Sequence, residues 1–200
     1  MNSVVQQDIE KSRKCFIEKV APIVIELLKS DKWTNEIKTV EGQDNEICKL
    51  LDCRCGTDYV HIYNEIDLVW GIASRIQYQK NWRTFTIRSA RDTGNLTELA
   101  KRKMAIENGG YYPYLTCQAY IADDGEVDGL AIMRTKDLIH MIDHYPKLIH
   151  MQHTGPDQIG GAEFMVINWD DVWKLRKTES YKILGYKRNR EDTTCLTSNP

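Results

Sequence analysis

Between Tyr59 and Arg88 the chain changes its hydrophobic period, and this change limits the fold more than any other feature. Tyr59-Val-His-Ile-Tyr63, Leu68 to Tyr78 and Arg83-Thr-Phe-Thr-Ile-Arg88 are rich in β-branched and aromatic residues, and polar turns at Asn64-Glu-Ile-Asp67 and Gln79-Lys-Asn81 separate them. This pattern predicts a three-stranded antiparallel meander. Leu68-Val-Trp-Gly-Ile-Ala73 is apolar at successive positions, which suits a central strand covered on both faces. Upstream, Val5, Ile9, Phe16, Val20, Ile23, Val24, Leu27 and Leu28 recur at helical spacing, with a bend or break expected at Pro22.

A second helix is expected over Asp44 to Asp52, ended by Gly56. Asn95-Leu-Thr-Glu98 resembles a capping box, so a helix with Leu96, Leu99, Ala100 and Met104 on its apolar face should run to about Asn108, before Gly109-Gly110. Thr116 to Ala122 and Gly129 to Met133 are strands around the turn Asp123-Asp-Gly-Glu126. Thr135 caps a helix to about His144, Glu163 to Asn168 is a last strand, and Asp170 caps a final helix. The expected fold is α+β: one mixed, largely antiparallel central sheet flanked by helices. The expected domain spans 1–188, with helices over 4–52, a sheet core over 57–168, a helix at about 170–178 and a flexible tail over 189–200.

Two hundred residues suffice for one substantial core, and 42% hydrophobic with 28% charged residues is an ordinary globular composition. No run reaches the ~18 apolar residues of a membrane helix, and the first residues lack a secretory pattern, so a cytoplasmic protein without a membrane partner is expected. Six scattered cysteines do not make a disulfide scaffold. Cys48, Cys53 and Cys55 with His61 offer four candidate zinc ligands. The doubled Cys-x2-Cys spacing is absent, so zinc is not the expected cofactor.

The net charge of −2 gives no global attraction to polyanions, but its distribution is uneven. Between Ser74 and Lys103, Arg75, Lys80, Arg83, Arg88, Arg91, Lys101, Arg102 and Lys103 face only Asp92 and Glu98. From Lys174 to Arg190, seven basic residues face only Glu179. Both segments are candidate phosphate-facing surfaces, or solvated faces balanced by acids elsewhere.

No P-loop, dinucleotide fingerprint, zinc-protease helix or nucleophile elbow is present. The chain does carry Asp58 at a strand start, Arg75-Ile-Gln77 on a central strand, Arg88 on the next, and then a helix bearing Glu98 and Lys101. Over residues 44–121 this order resembles the PD-(D/E)XK nuclease superfamily. The resemblance implies a restriction-endonuclease-like sheet, with Asp58 as a carboxylate ligand of Mg²⁺ or Mn²⁺ and Gln77 as second ligand. Arg88, Glu98 or Lys101 would approach the scissile phosphate. Arg75, Lys80, Arg83, Arg88, Arg91 and Arg102 would then bind DNA. The family's Glu-x-Lys is missing from the central strand, which leaves room for a non-catalytic, nucleic-acid-binding member.

Other readings stay open. Asp58 could be a turn residue, and Arg75 and Arg88 could pair with Asp67, Asp92 or Glu98 in a structural ion network. His140 and His144, spaced i, i+4 near His150 and His153, could share a metal. Tyr111-Tyr-Pro-Tyr114 could stack bases or pack a loop. A non-enzymatic bacterial or phage protein that docks on a larger protein complex would use Trp82, Tyr111 and Tyr114 as anchors.

Overall fold

The computed structural model describes residues 3–40, 42–78, 80–91, 96–154, 161–176, 181–188 and 195–196. The chain opens with α1 (Ser3–Cys15), a π-helical turn at Phe16–Val20, and α2 (Ala21–Leu27). Pro22 lies in the first turn of α2, directly after a π-helical turn whose Ala21 N–H bonds the Phe16 carbonyl, so the helix is adjusted by the π turn rather than broken at the proline. Phe16, Val20 and Val24 are fully buried on one side. The remaining helices are α3 (Glu46–Leu50), α4 (Glu98–Glu107), α5 (Thr135–His144) and α6 (Trp169–Leu175).

A seven-stranded sheet forms the centre. Its strands are β1 (Asn35–Thr39), β2 (Tyr59–Tyr63), β3 (Leu68–Gln77), β5 (Leu115–Ile121), β6 (Val127–Arg134), β9 (Ile183–Lys187) and β10 (Cys195–Leu196), in the order β1-β2-β3-β5-β6-β9-β10. β3 and β5 run parallel, with Ile72 opposite Leu115 and Gln77 opposite Tyr120, and the other pairs are antiparallel. The sheet is therefore mixed and largely antiparallel, as expected.

The expected single sheet and its meander are corrected. Only β2 and β3 form the predicted hairpin. β4 (Thr84–Arg91) leaves it and joins β8 (Ala162–Asn168) and β7 (Ile149–His153) in a second, three-stranded sheet. Residue content announces a strand, but its neighbour is chosen by which faces can be buried together. β1, β7 and β9 had no counterpart in the sequence reading. The strands 35–39 and 149–153 have almost no buried positions, so they lack the alternation that marks a strand.

β5 shows how the layers meet. Leu115, Cys117, Ala119 and Ile121 pack with Phe16, Val20, Val24, Tyr59 and Ile72 beneath the N-terminal helices. Tyr120, of the alternate set, packs with Phe85, Leu99, Leu138, Met141, Ile167 and Trp169 beneath α4, α5 and the small sheet. Each fully buried side chain of this size contributes about 1.5–3 kcal/mol, so both faces of β5 are held strongly. Thr116 and Gln118 share Tyr120's side of the strand and carry polar atoms into that layer.

The helix caps differ from expectation. Thr97 caps α4, its hydroxyl accepting the Ala100 N–H, while Asn95 lies outside the described residues. Asn168 caps α6 by accepting the Asp170 N–H, in place of Asp170 itself. Thr135 hydrogen bonds Thr116 across the core instead of capping α5. α4 buries Leu99 and Arg102, whereas Leu96 and Met104 are about half exposed, so its packed face is rotated from the expected one. Of the expected tail, Cys195–Leu196 pairs with β9, and its other residues lie outside the described set.

Candidate functional site

Three elements converge beside the amino-terminal end of β2. Gly56, in the left-handed conformation at φ 67°, ends the turn after α3 and directs the chain into β2. Asp58, two residues later, accepts the backbone N–H of Ser74 on β3 through Oδ2 at 2.6 Å. Arg75 follows on β3. On β4 a bulge between Arg88 and Ala90 inserts one residue, which returns Arg91 to the same side as Arg88. On α4, Glu98, Lys101 and Arg102 stand at i, i+3 and i+4, so one helix face carries all three.

The result is an arginine cluster around one carboxylate. Arg75 Nη2 donates to Glu98 Oε1 at 2.8 Å and Oε2 at 3.1 Å, and Arg88 Nη1 lies 4.0 Å from Oε1. Both guanidiniums also lie over the Phe164 ring, 4.7 Å and 5.3 Å from its centre. Arg102 is only 6% exposed. Burial lowers its affinity for the proton, while Glu98 and Asp58 oppose that shift. Burial pushes the Glu98 carboxyl up, but Arg75, Arg102 and Arg88 outweigh it and hold the group below its ordinary value. The Nε atoms of Arg88 and Arg102 and the Oγ of Ser74 are buried with no hydrogen-bond partner among the described residues.

Two adjoining cavities open here and share Asp58, Ser74 and Arg75. One, about 200 Å³, has Asp52, Arg91, Glu98, Lys101 and Arg102 on its walls. The other, about 360 Å³, runs toward Asp8 and Ser12 of α1 and includes Arg88. Lys101 Nζ donates to the Cys53 carbonyl at 2.5 Å, which fixes it at the rim. Asp52 is raised above its usual range by burial, against the pull of Lys101.

Of the expected catalytic residues, Asp58, Glu98 and Lys101 meet at this cleft, and Gln77 does not. Gln77 lines a separate cavity of about 490 Å³ beside the small sheet. Among the expected DNA contacts, Arg75, Arg88, Arg91 and Arg102 reach the cleft walls. Lys80 instead lies over the Trp82 ring, and Arg83 pairs with Asp170 at 2.7 Å. Lys103 pairs with Asp143.

Among the described residues no three His, Cys, Asp or Glu side chains stand close enough to share a metal. Glu98 is engaged by Arg75, and the surrounding groups are cations that suit an anion. The cysteine cluster is likewise not joined by His61, which is fully buried on β2 between the rings of Tyr63 and Trp70 and hydrogen bonds Asn35 at 3.1 Å. His140 and His144 stack 4.0 Å apart, with His140 Nδ1 bonded to the Tyr181 hydroxyl at 2.6 Å. Tyr114 is half-buried against Trp70, so of the three expected anchors Trp82 and Tyr111 are exposed.

Sequence reasoning missed the burial of Arg102 and the contributions of Ser74 and Asp52. The i, i+4 spacing of Glu98 and Arg102 was the available signal for the first. Among the described residues no helix is long and apolar enough to cross a membrane. Comparison with protein-family models, with curated proteins and with solved structures finds no match to this chain.

Proposed function

We propose that this protein binds nucleic acid by its phosphate backbone in the cleft of Arg75, Arg88, Arg91, Lys101 and Arg102. The observation that carries the reading is Arg102: a guanidinium 6% exposed, on the wall of an open cleft, with a buried Nε that no described residue satisfies. Arg102 lines the cleft with Arg91 and Lys101, and a phosphate oxygen is the acceptor that such a group of cations suits. Five basic side chains against Asp8, Asp52, Asp58 and Glu98 leave the two joined cavities with one excess positive charge in a chain whose total charge is −2. The attraction is therefore local and directed.

A non-hydrolytic relative of the PD-(D/E)XK superfamily fits this reading. Such a relative would keep the acid at the strand start and the basic helix, with Glu98, which the resemblance puts near the scissile phosphate, neutralising arginines instead. Its partner would be DNA, and binding would not depend on Mg²⁺ or Mn²⁺.

Fluorescence anisotropy with labelled DNA over a range of salt, with and without Mg²⁺ or Mn²⁺, tests it. Expected are binding that weakens linearly in log salt with a slope of about −2 to −4, no metal requirement, and intact DNA afterwards. Salt-independent or absent binding would sink the proposal. Metal-dependent cleavage would restore the hydrolytic reading.

A further inference from the structure

Next to the arginine cleft lies the larger cavity that contains Gln77, Trp82, Thr84, Gln152 and Asn168. Thr86 belongs to the walls of both, so the two spaces adjoin across β4. Trp82 is the most exposed aromatic side chain among the described residues, at 57%, and Lys80 Nζ sits 4.9 Å from its ring centre. An exposed indole on a cavity wall with an ammonium beside it is poorly explained by core packing. It matches what a stacked base and its neighbouring phosphate require.

A buried network fixes the chemistry of Gln77 on the same cavity. Gln118, 1% exposed, accepts the Thr86 N–H at 3.3 Å and the Thr86 hydroxyl at 3.0 Å through Oε1. Its amide nitrogen must then donate, and it does so to Gln77 Oε1 at 3.2 Å. That donation orients the Gln77 side chain with its own NH₂ turned away from Gln118. With its Oε1 taken by Gln118, Gln77 has its NH₂ left to donate on the wall of a cavity that Trp82 also lines, the pairing that reads an acceptor on a base edge.

We infer that this cavity is a nucleobase subsite, with Trp82 as the stacking platform and Gln77 as an edge donor, so that the ligand is single-stranded nucleic acid with an unstacked base. The inference rests on the phosphate reading above and gives it a substrate class. A duplex keeps its bases inside the stack and can fill only the phosphate cleft.

The test compares three labelled probes on the full chain by anisotropy: a short DNA single strand, a strand of the same length made wholly of abasic sites, and a duplex. The intact strand should bind about tenfold more tightly than the abasic strand, and more tightly than the duplex. Trp82→Ala should bring the intact-to-abasic ratio close to one while leaving abasic binding unchanged, and Trp82→Phe should restore most of the ratio. Gln77→Glu keeps the acceptor for Gln118 but loses the donor. It should lower the same ratio, in which any uniform charge repulsion cancels. A wild-type ratio of one, a duplex bound more tightly than the single strand, or a ratio unchanged in Trp82→Ala would overturn the subsite while leaving phosphate binding intact. Failure of every probe to bind, the abasic strand included, would remove both readings.

Discussion

Nη2 of Arg75 donates to both carboxylate oxygens of Glu98, so one nitrogen on β3 ties the central sheet to the first turn of α4. The same carboxylate faces Arg88 and Arg102, and its side chain is 27% exposed. Glu98 is the counter-charge that lets three guanidiniums share one cleft wall.

Removing that charge should therefore loosen the fold and strengthen anion binding together. Glu98→Gln is expected to cost about 1–3 kcal/mol of stability at pH 7, measured by denaturant unfolding, and to tighten DNA binding several-fold. Because the folded carboxyl titrates below its ordinary value near 4.5, its contribution is present above that pH and disappears as pH falls through the folded value. The gap between wild type and variant should be full at pH 7 and close in stronger acid. Equal stability at pH 7 would refute the counter-charge role.

Arg91 and Lys101 stand at the cleft rim and can be removed with less disturbance than the buried Arg102. Arg91→Ala and Lys101→Ala should each weaken DNA binding about three- to tenfold at low salt and reduce the salt slope by about one. Arg83→Ala should leave the slope unchanged, since Arg83 pairs with Asp170 away from the cleft. A slope that falls only for Arg83→Ala would place the phosphate path elsewhere.

Burial pushes the His61 imidazole down to about 4 from 6.5. The unfolded chain then takes up a proton in a range where the folded one does not, so His61 makes stability rise with pH. The loss sets in as pH falls below about 6.5 and reaches roughly 3 kcal/mol near pH 4. His61→Phe should flatten the stability profile between pH 6.5 and 4, whatever it does at pH 7. An unchanged profile would mean that His61 is not the titrating group.

Gly56 holds φ 67° with open space where a Cβ would stand, so a substitution there meets backbone strain and no clash. Gly56→Ala should cost about 1–2 kcal/mol, and Gly56→Asn less, because asparagine tolerates the left-handed region. Thermal melts of the two variants check the order. DNA affinity should fall with stability only if the turn fails to deliver Asp58 to β2.

The sequence by itself determined the local elements with strong patterns: the N-terminal helix, the hairpin of β2 and β3, the strands β5, β6 and β8, and the ends of α4 near Asn108 and α5 at His144. In each, side-chain period or turn chemistry acts over neighbours in the chain. It also brought Asp58, Gln77, Glu98 and Lys101 forward as a group, because the order of polar and charged residues on strand, strand and helix is visible without coordinates; the fold gathers all but Gln77 at one cleft. Tertiary structure alone decided that β4 joins a second sheet, that Arg102 is buried, and that Gln77 lines the cavity of Trp82 and not the cleft of Asp58. Those outcomes depend on which surfaces of separate elements meet, where burial and electrostatic compensation, not local propensity, select the arrangement.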